Sequence, residues 1–156
     1  MEGLVLPGGE SSAQLSLVDR FGLEGPLRAW LAGGKPVLAT CAGLILAARG
    51  VASPAQRSLA VLDVDVVRNA YGRQLQSFQA TADDGRLELV FIRAPRITRV
   101  GLFVEVLATL RGEPILVRQG NIVAAAFHPE LTSDPFVHQL AFGRETARAT
   151  LAEACG

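Results

Sequence analysis

The 156-residue sequence has no excess of charge of either sign, because fifteen Lys and Arg residues balance fifteen Asp and Glu residues. Aromatic residues make up only 6% of the chain, and no basic run is interleaved with them. Such a chain has no net field to attract a polyanion, so we expect neither nucleic acid nor a membrane surface as a partner. No apolar run approaches the ~20 residues that a membrane-spanning helix requires.

Targeting signals and disulfide-forming cysteines are also scarce. The N-terminus has no basic region before its short apolar segment, which predicts a cytoplasmic protein without a secretory signal. The two cysteines, Cys41 and Cys155, are expected to stay free thiols in a reducing compartment. With 49% hydrophobic residues and no repeat or change of composition, the chain is predicted to form one domain over residues 1–156.

Short apolar runs alternate with helical patterns in the first forty positions. Residues 3–6 predict a buried strand stopped by Pro7, a helical pattern follows residues 10–12, residues 26–32 predict a second helix, and residues 35–40 a second strand. This alternation favours an α/β sheet with parallel strands.

The rest of the chain is dominated by short β-rich segments. These segments cover residues 62–68, 76–80, 87–92, 104–110, 115–119 and 122–127. Gly120 and Asn121 between the last two predict a tight antiparallel hairpin, and residues 135–154 predict a closing helix. The pattern therefore predicts a mixed sheet flanked by helices.

Cys41 stands between an apolar strand and an apolar helical segment at residues 44–48. A nucleophile at a strand-to-helix turn is lifted above the sheet edge, and the positive end of a helix favours the reactive thiolate. A buried cysteine is more often a small hydrophobic residue, so this interpretation requires a base elsewhere in the chain.

His128 supplies a candidate base, since it follows a predicted strand and precedes Pro129 and Glu130. Pro129 predicts an extended or turn geometry at His128. A Cys–His pair needs an imidazole to take and return a proton, and a carboxylate two residues on in an extended segment could hold the ring tautomer. The alternatives are a surface histidine and a solvated glutamate. His138, in the predicted last helix, is expected to be solvated or to cap the helix.

Gly8 and Gly9 form another candidate site after the first strand. Two glycines can expose adjacent backbone N–H groups to an oxyanion, and Glu10 could accept from an α-ammonium group. The alternative is a glycine turn followed by a serine N-cap at Ser11. No Gly-Lys-Ser/Thr follows, so this is not a phosphate-binding P-loop.

Together, residues 7–11 (PGGES), 40–43 (TCAG) and 127–130 (FHPE) resemble the signatures of the class I glutamine amidotransferases, which use a Cys-His-Glu triad. Residues 67–74 (VRNAYGRQ) and 91–95 (FIRAP) resemble the glutaminase subunit of the two-subunit pyridoxal 5′-phosphate synthase. The resemblance runs from residue 3 to about residue 142. It implies a three-layer, flavodoxin-like α/β fold with a mixed sheet.

The resemblance also implies an activity: L-glutamine is hydrolysed to L-glutamate and ammonia, and the ammonia passes to a synthase subunit in a large hetero-oligomer that makes pyridoxal 5′-phosphate. By motif position Cys41 is the nucleophile, His128 the general acid and base, and Glu130 its orienting partner. The implied oxyanion donors are Gly8, Gly9 and Ala42. The implied glutamine-binding residues are Gly9, Glu10, Ser11, Arg68, Ile92 and Arg93. No metal or cofactor is implied.

Members of this family normally begin about forty residues earlier, so we expect the family's first strand and helix to be missing here. Two alternative functions therefore stay open. One is a glutaminase-like chain without activity that has a binding or regulatory role. The other is a glutaminase that serves a different synthase.

Overall fold

The computed structural model describes residues 2–68, 70 and 77–143. Its strands are β1 (Leu4–Leu6), β2 (Val37–Thr40), β3 (Ala48–Ala52), β4 (Leu62–Val67), β5 (Ser77–Thr81), β6 (Glu88–Ile92), β7 (Arg96–Val100), β8 (Glu105–Leu110), β9 (Glu113–Gln119) and β10 (Ile122–Ala125). Its helices are α1 (Ser11–Arg20), α2 (Glu24–Ala32), α3 (Ala42–Ala47) and α4 (Phe136–Phe142), with a 3₁₀ turn at Pro129–Leu131. None of the helices in these described ranges is long and apolar enough to cross a membrane.

A five-stranded mixed sheet forms the centre of the molecule, with the strand order β1-β2-β10-β9-β8. The strands β1, β2 and β10 are parallel neighbours, whereas β9 pairs antiparallel with both β10 and β8. Every residue of β2 and β10 is buried, as expected for parallel strands covered on both faces. The predicted α/β fold with a mixed sheet is confirmed, and so is the hairpin at Gly120 and Asn121, which joins β9 to β10.

Parallel strands that lie side by side end at the same edge of a sheet, and this edge is where the candidate residues gather. The loop with Gly8 and Gly9 follows β1, Cys41 follows β2, and His128 comes shortly after β10. In open α/β sheets, ligands bind at the carboxyl ends of the strands. The topology therefore brings three sequence-distant segments to one place.

The described residues form two further sheets: the three-stranded sheet β3-β4-β7, and the hairpin of β5 with β6. The sequence pattern did not predict β3 or β7. The predicted helical segment runs to Ala48, but the helix ends at Ala47 and the chain turns directly into a strand parallel to β4. The strand β7 follows Pro95 and pairs antiparallel with β4, with Ile97 buried between exposed neighbours.

Aromatic packing fixes the positions of the strand ends beside the site. Phe91 of β6 stacks on Phe78 with ring centroids 4.6 Å apart and meets the edge of Phe127 at 6.0 Å. Phe91 and Phe127 are each only 1% exposed. Because Phe127 directly precedes His128, this packing anchors the segment that presents the imidazole.

The C-terminal predictions are tested only in part. The last predicted helix begins as expected, with α4 at Phe136–Phe142, while residues 144–154 lie outside the described residues. Cys41 is a free, buried thiol. Cys155 also lies outside the described residues.

Candidate active site

Cys41 sits at a sharp junction between β2 and α3. Its φ of 48° and ψ of −104° lie in a region that residues with side chains rarely occupy. The backbone is fixed on both sides, since its N–H donates to the Ala125 carbonyl at 2.9 Å and its carbonyl accepts from the Ile45 N–H at 3.2 Å. Such strain persists only where the surroundings impose it, and it is common at functional sites.

The close approach of α3 to the sheet depends on Gly43. A Cβ atom at this position would lie 1.9 Å from the Leu6 carbonyl oxygen of β1. The missing side chain therefore lets the first turn of α3 pack directly against the sheet, and Cys41 is held at the start of that turn.

Three contacts position His128: a backbone hydrogen bond, a carboxylate at the imidazole, and a glycine packed against the ring. Its N–H donates to the Val90 carbonyl of β6 at 2.8 Å, and its Nδ1 lies 2.6 Å from Glu130 Oε1. The bare Cα of Gly8 packs on the ring, since a Cβ there would lie 2.5 Å from His128 Cε1. Of the extended or turn geometry predicted beside Pro129, the structure has the turn: Pro129–Leu131 form a 3₁₀ turn, and this turn, not an extended segment, brings Glu130 to the imidazole.

The electrostatics of the site favour a charged imidazole. The pKa of His128 is raised to about 9, mainly by Cys41 and further by Glu130, against the opposing effect of burial. Within the described residues, His128 Nε2 is buried and has no hydrogen-bond partner of ordinary geometry. Cys41 Sγ is 3.7 Å from the Ile92 carbonyl oxygen. The imidazole of His128 is thus influenced by Cys41 without a hydrogen bond of ordinary geometry between them.

A cavity of about 540 Å³ opens beside this pair. Its lining residues are Gly9, Glu10, Ser11, Cys41, Ile45, Arg68, Ser77, Ile92, Arg93 and His128. The volume is within the range of pockets for small molecules. The cavity thus brings together Cys41, His128 and every residue predicted to bind glutamine.

Two lining residues, Ile45 and Ser77, were not predicted. Ile45 lies one helical turn after Cys41, so the i, i+4 spacing could have placed it on the same face. Ser77 begins β5, and nothing in its local sequence indicates a position in the cavity.

The carboxylate of Glu10 caps the helix that follows it, α1. It accepts from the Ser12 and Ala13 N–H groups, so the alternative of a serine cap at Ser11 was wrong. Glu10 Oε1 also lies 3.2 Å from the guanidinium of Arg68. Its pKa is lowered, chiefly by the hydrogen bond from the Ser12 hydroxyl.

The two cavity arginines differ in their surroundings. Arg68 is mostly buried and paired with Glu10. Arg93 is exposed, has a φ of 47°, and makes no hydrogen bond or ion pair with any described side chain or backbone group. Its guanidinium is therefore available for an anionic group that enters the cavity.

The three residues predicted as oxyanion donors differ in their position relative to the cavity. Gly9 lines the cavity, Gly8 packs against the imidazole, and Ala42 is buried at the first position of α3. The backbone N–H groups of Gly9 and Ala42 have no hydrogen-bond partner among the described residues. Ala42 is the first residue of α3, where N–H groups lack intrahelical partners, and Gly9 lies in the loop before α1, so both N–H groups can donate to an oxyanion.

The fold and this site define the class of protein as a glutamine amidotransferase. A solved glutamine amidotransferase structure superposes with a TM-score of 0.84 at 42% identity, covering 95% of this chain and 80% of that one. A glutamine amidotransferase from Thermotoga maritima shares the fold, with a TM-score of 0.53 at 17% identity, covering 96% and 66%.

The chain belongs to the SNO glutamine amidotransferase family, whose model matches residues 1–146. It is 52% identical over 144 residues to the pyridoxal 5′-phosphate synthase subunit PdxT of Koribacter versatilis, covering 90% of this chain and 74% of that protein. It is 48% identical over 155 residues to the protein of the same name from Halobacterium salinarum, covering 97% and 76%.

Proposed function

We propose that the chain hydrolyses L-glutamine to L-glutamate and ammonia, with Cys41 as nucleophile, His128 as general acid and base, and Glu130 as the carboxylate that orients the imidazole. The observation that carries this proposal is the convergence of the thiol, the imidazole and the free Gly9 N–H on one cavity of about 540 Å³. The family of the chain supports the choice of glutamine as substrate.

In the first half of the reaction, Cys41 Sγ attacks the side-chain amide carbon of glutamine. The carbonyl oxygen becomes an oxyanion, which the N–H groups of Gly9 and Ala42 stabilise. The C–N bond then breaks as His128 gives its proton to the departing nitrogen. The products are ammonia and a γ-glutamyl thioester on Cys41.

In the second half, water attacks the thioester carbon while His128 takes a proton from the water. The C–S bond breaks, glutamate leaves, and the sulfur recovers a proton from the imidazolium. The Glu130 carboxylate accepts a hydrogen bond from the Nδ1–H of His128 throughout, so that Nε2 faces the reacting atoms.

Recognition of the amino-acid end of glutamine falls to the charged residues that line the cavity. The free guanidinium of Arg93, with Arg68 beside it, suits a carboxylate, because an arginine donates two parallel hydrogen bonds to such a group. The Glu10 carboxylate suits an ammonium group. Ser11 and Ile92 complete the contact surface.

The proposed partner is a synthase subunit that receives the ammonia and makes pyridoxal 5′-phosphate, within a large hetero-oligomer. The names of the relatives support this pairing, since they are themselves subunits of such a synthase. We place the reaction in the cytoplasm, where a catalytic thiol stays reduced.

The test is glutamate release from glutamine by the purified chain, with and without a purified pyridoxal 5′-phosphate synthase subunit. We expect release that rises on addition of that subunit and is lost in Cys41→Ala. Cys155→Ala is the matched control and should keep the wild-type rate. An inert wild-type chain under both conditions contradicts the proposal and favours a non-enzymatic binding role.

A further inference from the structure

Gln14, on the second turn of α1, holds the loop that precedes its own helix. Its amide Nε2 donates to the Pro7 carbonyl at 3.0 Å and to the Gly8 carbonyl at 3.2 Å. These are the hydrogen bonds that the two carbonyls make within the described residues. The amide nitrogen is the only group of a glutamine side chain that can serve two acceptors in this way.

The amide oxygen of Gln14 does not contribute to holding the side chain in this position. Gln14 Oε1 is buried and has no hydrogen-bond partner among the residues described. A buried unpaired acceptor is unfavourable, so the two contacts from Nε2 must account for the placement of the side chain.

The consequence lies in the peptide between Gly8 and Gly9. In a planar trans peptide the C=O and the N–H point in opposite directions. Because Gln14 draws the Gly8 carbonyl to itself, the Gly9 N–H is directed away from Gln14, which does not line the cavity, whereas Gly9 does. Gly9 has a φ of +132°, so the backbone here relies on a glycine and has little intrinsic preference of its own.

We propose that Gln14 is a positioning residue that fixes the orientation of the Gly8–Gly9 peptide and thereby keeps the Gly9 N–H aimed at the oxyanion. The inference rests on the proposed glutaminase function. An oxyanion exists only after the thiol has attacked, so Gln14 acts on the transition state and not on bound glutamine. Its loss should therefore lower kcat and leave KM nearly unchanged.

The test compares Gln14→Met, which keeps the length and helix preference of the side chain but has no donor, with Gln14→Lys, which restores donor groups. Gln139→Met is the matched control, because Gln139 is exposed on α4 and its side chain makes no hydrogen bond with the described residues. Glutamate release is measured with the synthase subunit present, as kcat and KM separately.

A second readout separates positioning from damage to the fold. Iodoacetamide alkylates a thiolate by direct displacement at carbon, and no oxyanion forms. Its rate of reaction with Cys41 therefore depends on the reactivity of the Cys41–His128 pair and not on the oxyanion donors. Labelling of the Cys41 peptide is followed by mass spectrometry for each variant.

We expect Gln14→Met to lower kcat about 10-fold or more, below the ~10²–10³ typical of deleting an oxyanion donor outright, with KM within about 2-fold. The labelling rate should match that of the wild type, Gln14→Lys should recover part of kcat, and Gln139→Met should have no effect. An unchanged kcat in Gln14→Met, or equal losses of kcat and labelling, overturns the role of Gln14. An inert wild type instead overturns the proposed function and this role with it.

Discussion

At the scale of single residues, the backbone of Cys41 is the feature that sequence patterns could indicate only indirectly. The apolar strand before it and the small residues after it predicted a tight strand-to-helix turn, and the structure has one. The positive φ of 48° is imposed by hydrogen bonds to Ala125 and Ile45, and Ala125 is far away along the chain. Local sequence therefore predicted the place of the thiol but not its strain.

The imidazole of His128 should titrate far above an ordinary histidine. We expect its ring protons to shift in an NMR titration with a midpoint at a pKa of about 9. The midpoint should fall in Cys41→Ala, which removes the main cause of the raised pKa, and fall less in Glu130→Gln. The chain has two histidines, so His138→Gln assigns the signals.

The same shift has a consequence for stability. The pKa of His128 is about 6.5 in the unfolded chain and about 9 in the folded protein. Its protonation therefore stabilises the fold fully at pH values below about 6.5, and this contribution is lost as the pH rises through about 9. The free energy of unfolding should thus decline between these two pH values, and by less in Cys41→Ala. A midpoint at or below 6.5 in the wild type contradicts the described electrostatics.

Gly8 is predicted to matter through its missing side chain. In Gly8→Ala the new methyl group would lie 2.5 Å from His128 Cε1, so the imidazole must move. Displacement of a catalytic group by ~1 Å can lower the rate about 10²-fold, and we expect a loss of this size in kcat/KM for glutamate release. A fully active Gly8→Ala would show that the ring does not need this position.

At the scale of secondary-structure elements, the contact of α3 with β1 determines how the nucleophile is held. Gly43→Ala places a Cβ 1.9 Å from the Leu6 carbonyl oxygen, which is backbone and cannot move aside easily. We expect the free energy of unfolding to fall by about 1–3 kcal/mol in denaturant titrations, as for other overpacked cores.

The matched control for that substitution is Gly25→Ala in α2, where the added Cβ would meet no atom of the described residues within 4 Å. The free energy of unfolding should change there by at most about 1 kcal/mol. Equal effects at the two positions would contradict the packing described for α3.

The elements that local sequence patterns did not predict depend on contacts with distant parts of the chain. Both β3 and β7 pair with β4, and both pairings include a register shift. Such pairing depends on partners elsewhere in the chain, and it overrides the local helical pattern that reached Ala48. The 3₁₀ turn at Pro129–Leu131 is likewise set by the proline and by contacts that residue spacing alone does not specify.

At the scale of the whole molecule, the order of the strands assembles the candidate site. Each predicted segment, the Gly8–Gly9 loop, Cys41 and His128, was placed correctly after a strand. The alternation of strand and helix predicted that β1 and β2 are parallel, but nothing local showed that β10 lies beside β2. The family resemblance implied an α/β fold with a mixed sheet, which the structure confirms. The roles of the individual site residues and the single domain over residues 1–156 stay predictions.

The central claim is that Cys41 attacks the amide position of glutamine bound in this cavity. The most direct measurement is covalent labelling by a diazoketone analogue of glutamine, which alkylates the attacking thiol, followed by mass spectrometry of the cysteine peptides with the synthase subunit present. We predict a label on Cys41 that excess glutamine prevents and no comparable label on Cys155. Equal labelling of both cysteines, or labelling of Cys41 that glutamine does not prevent, would contradict the account.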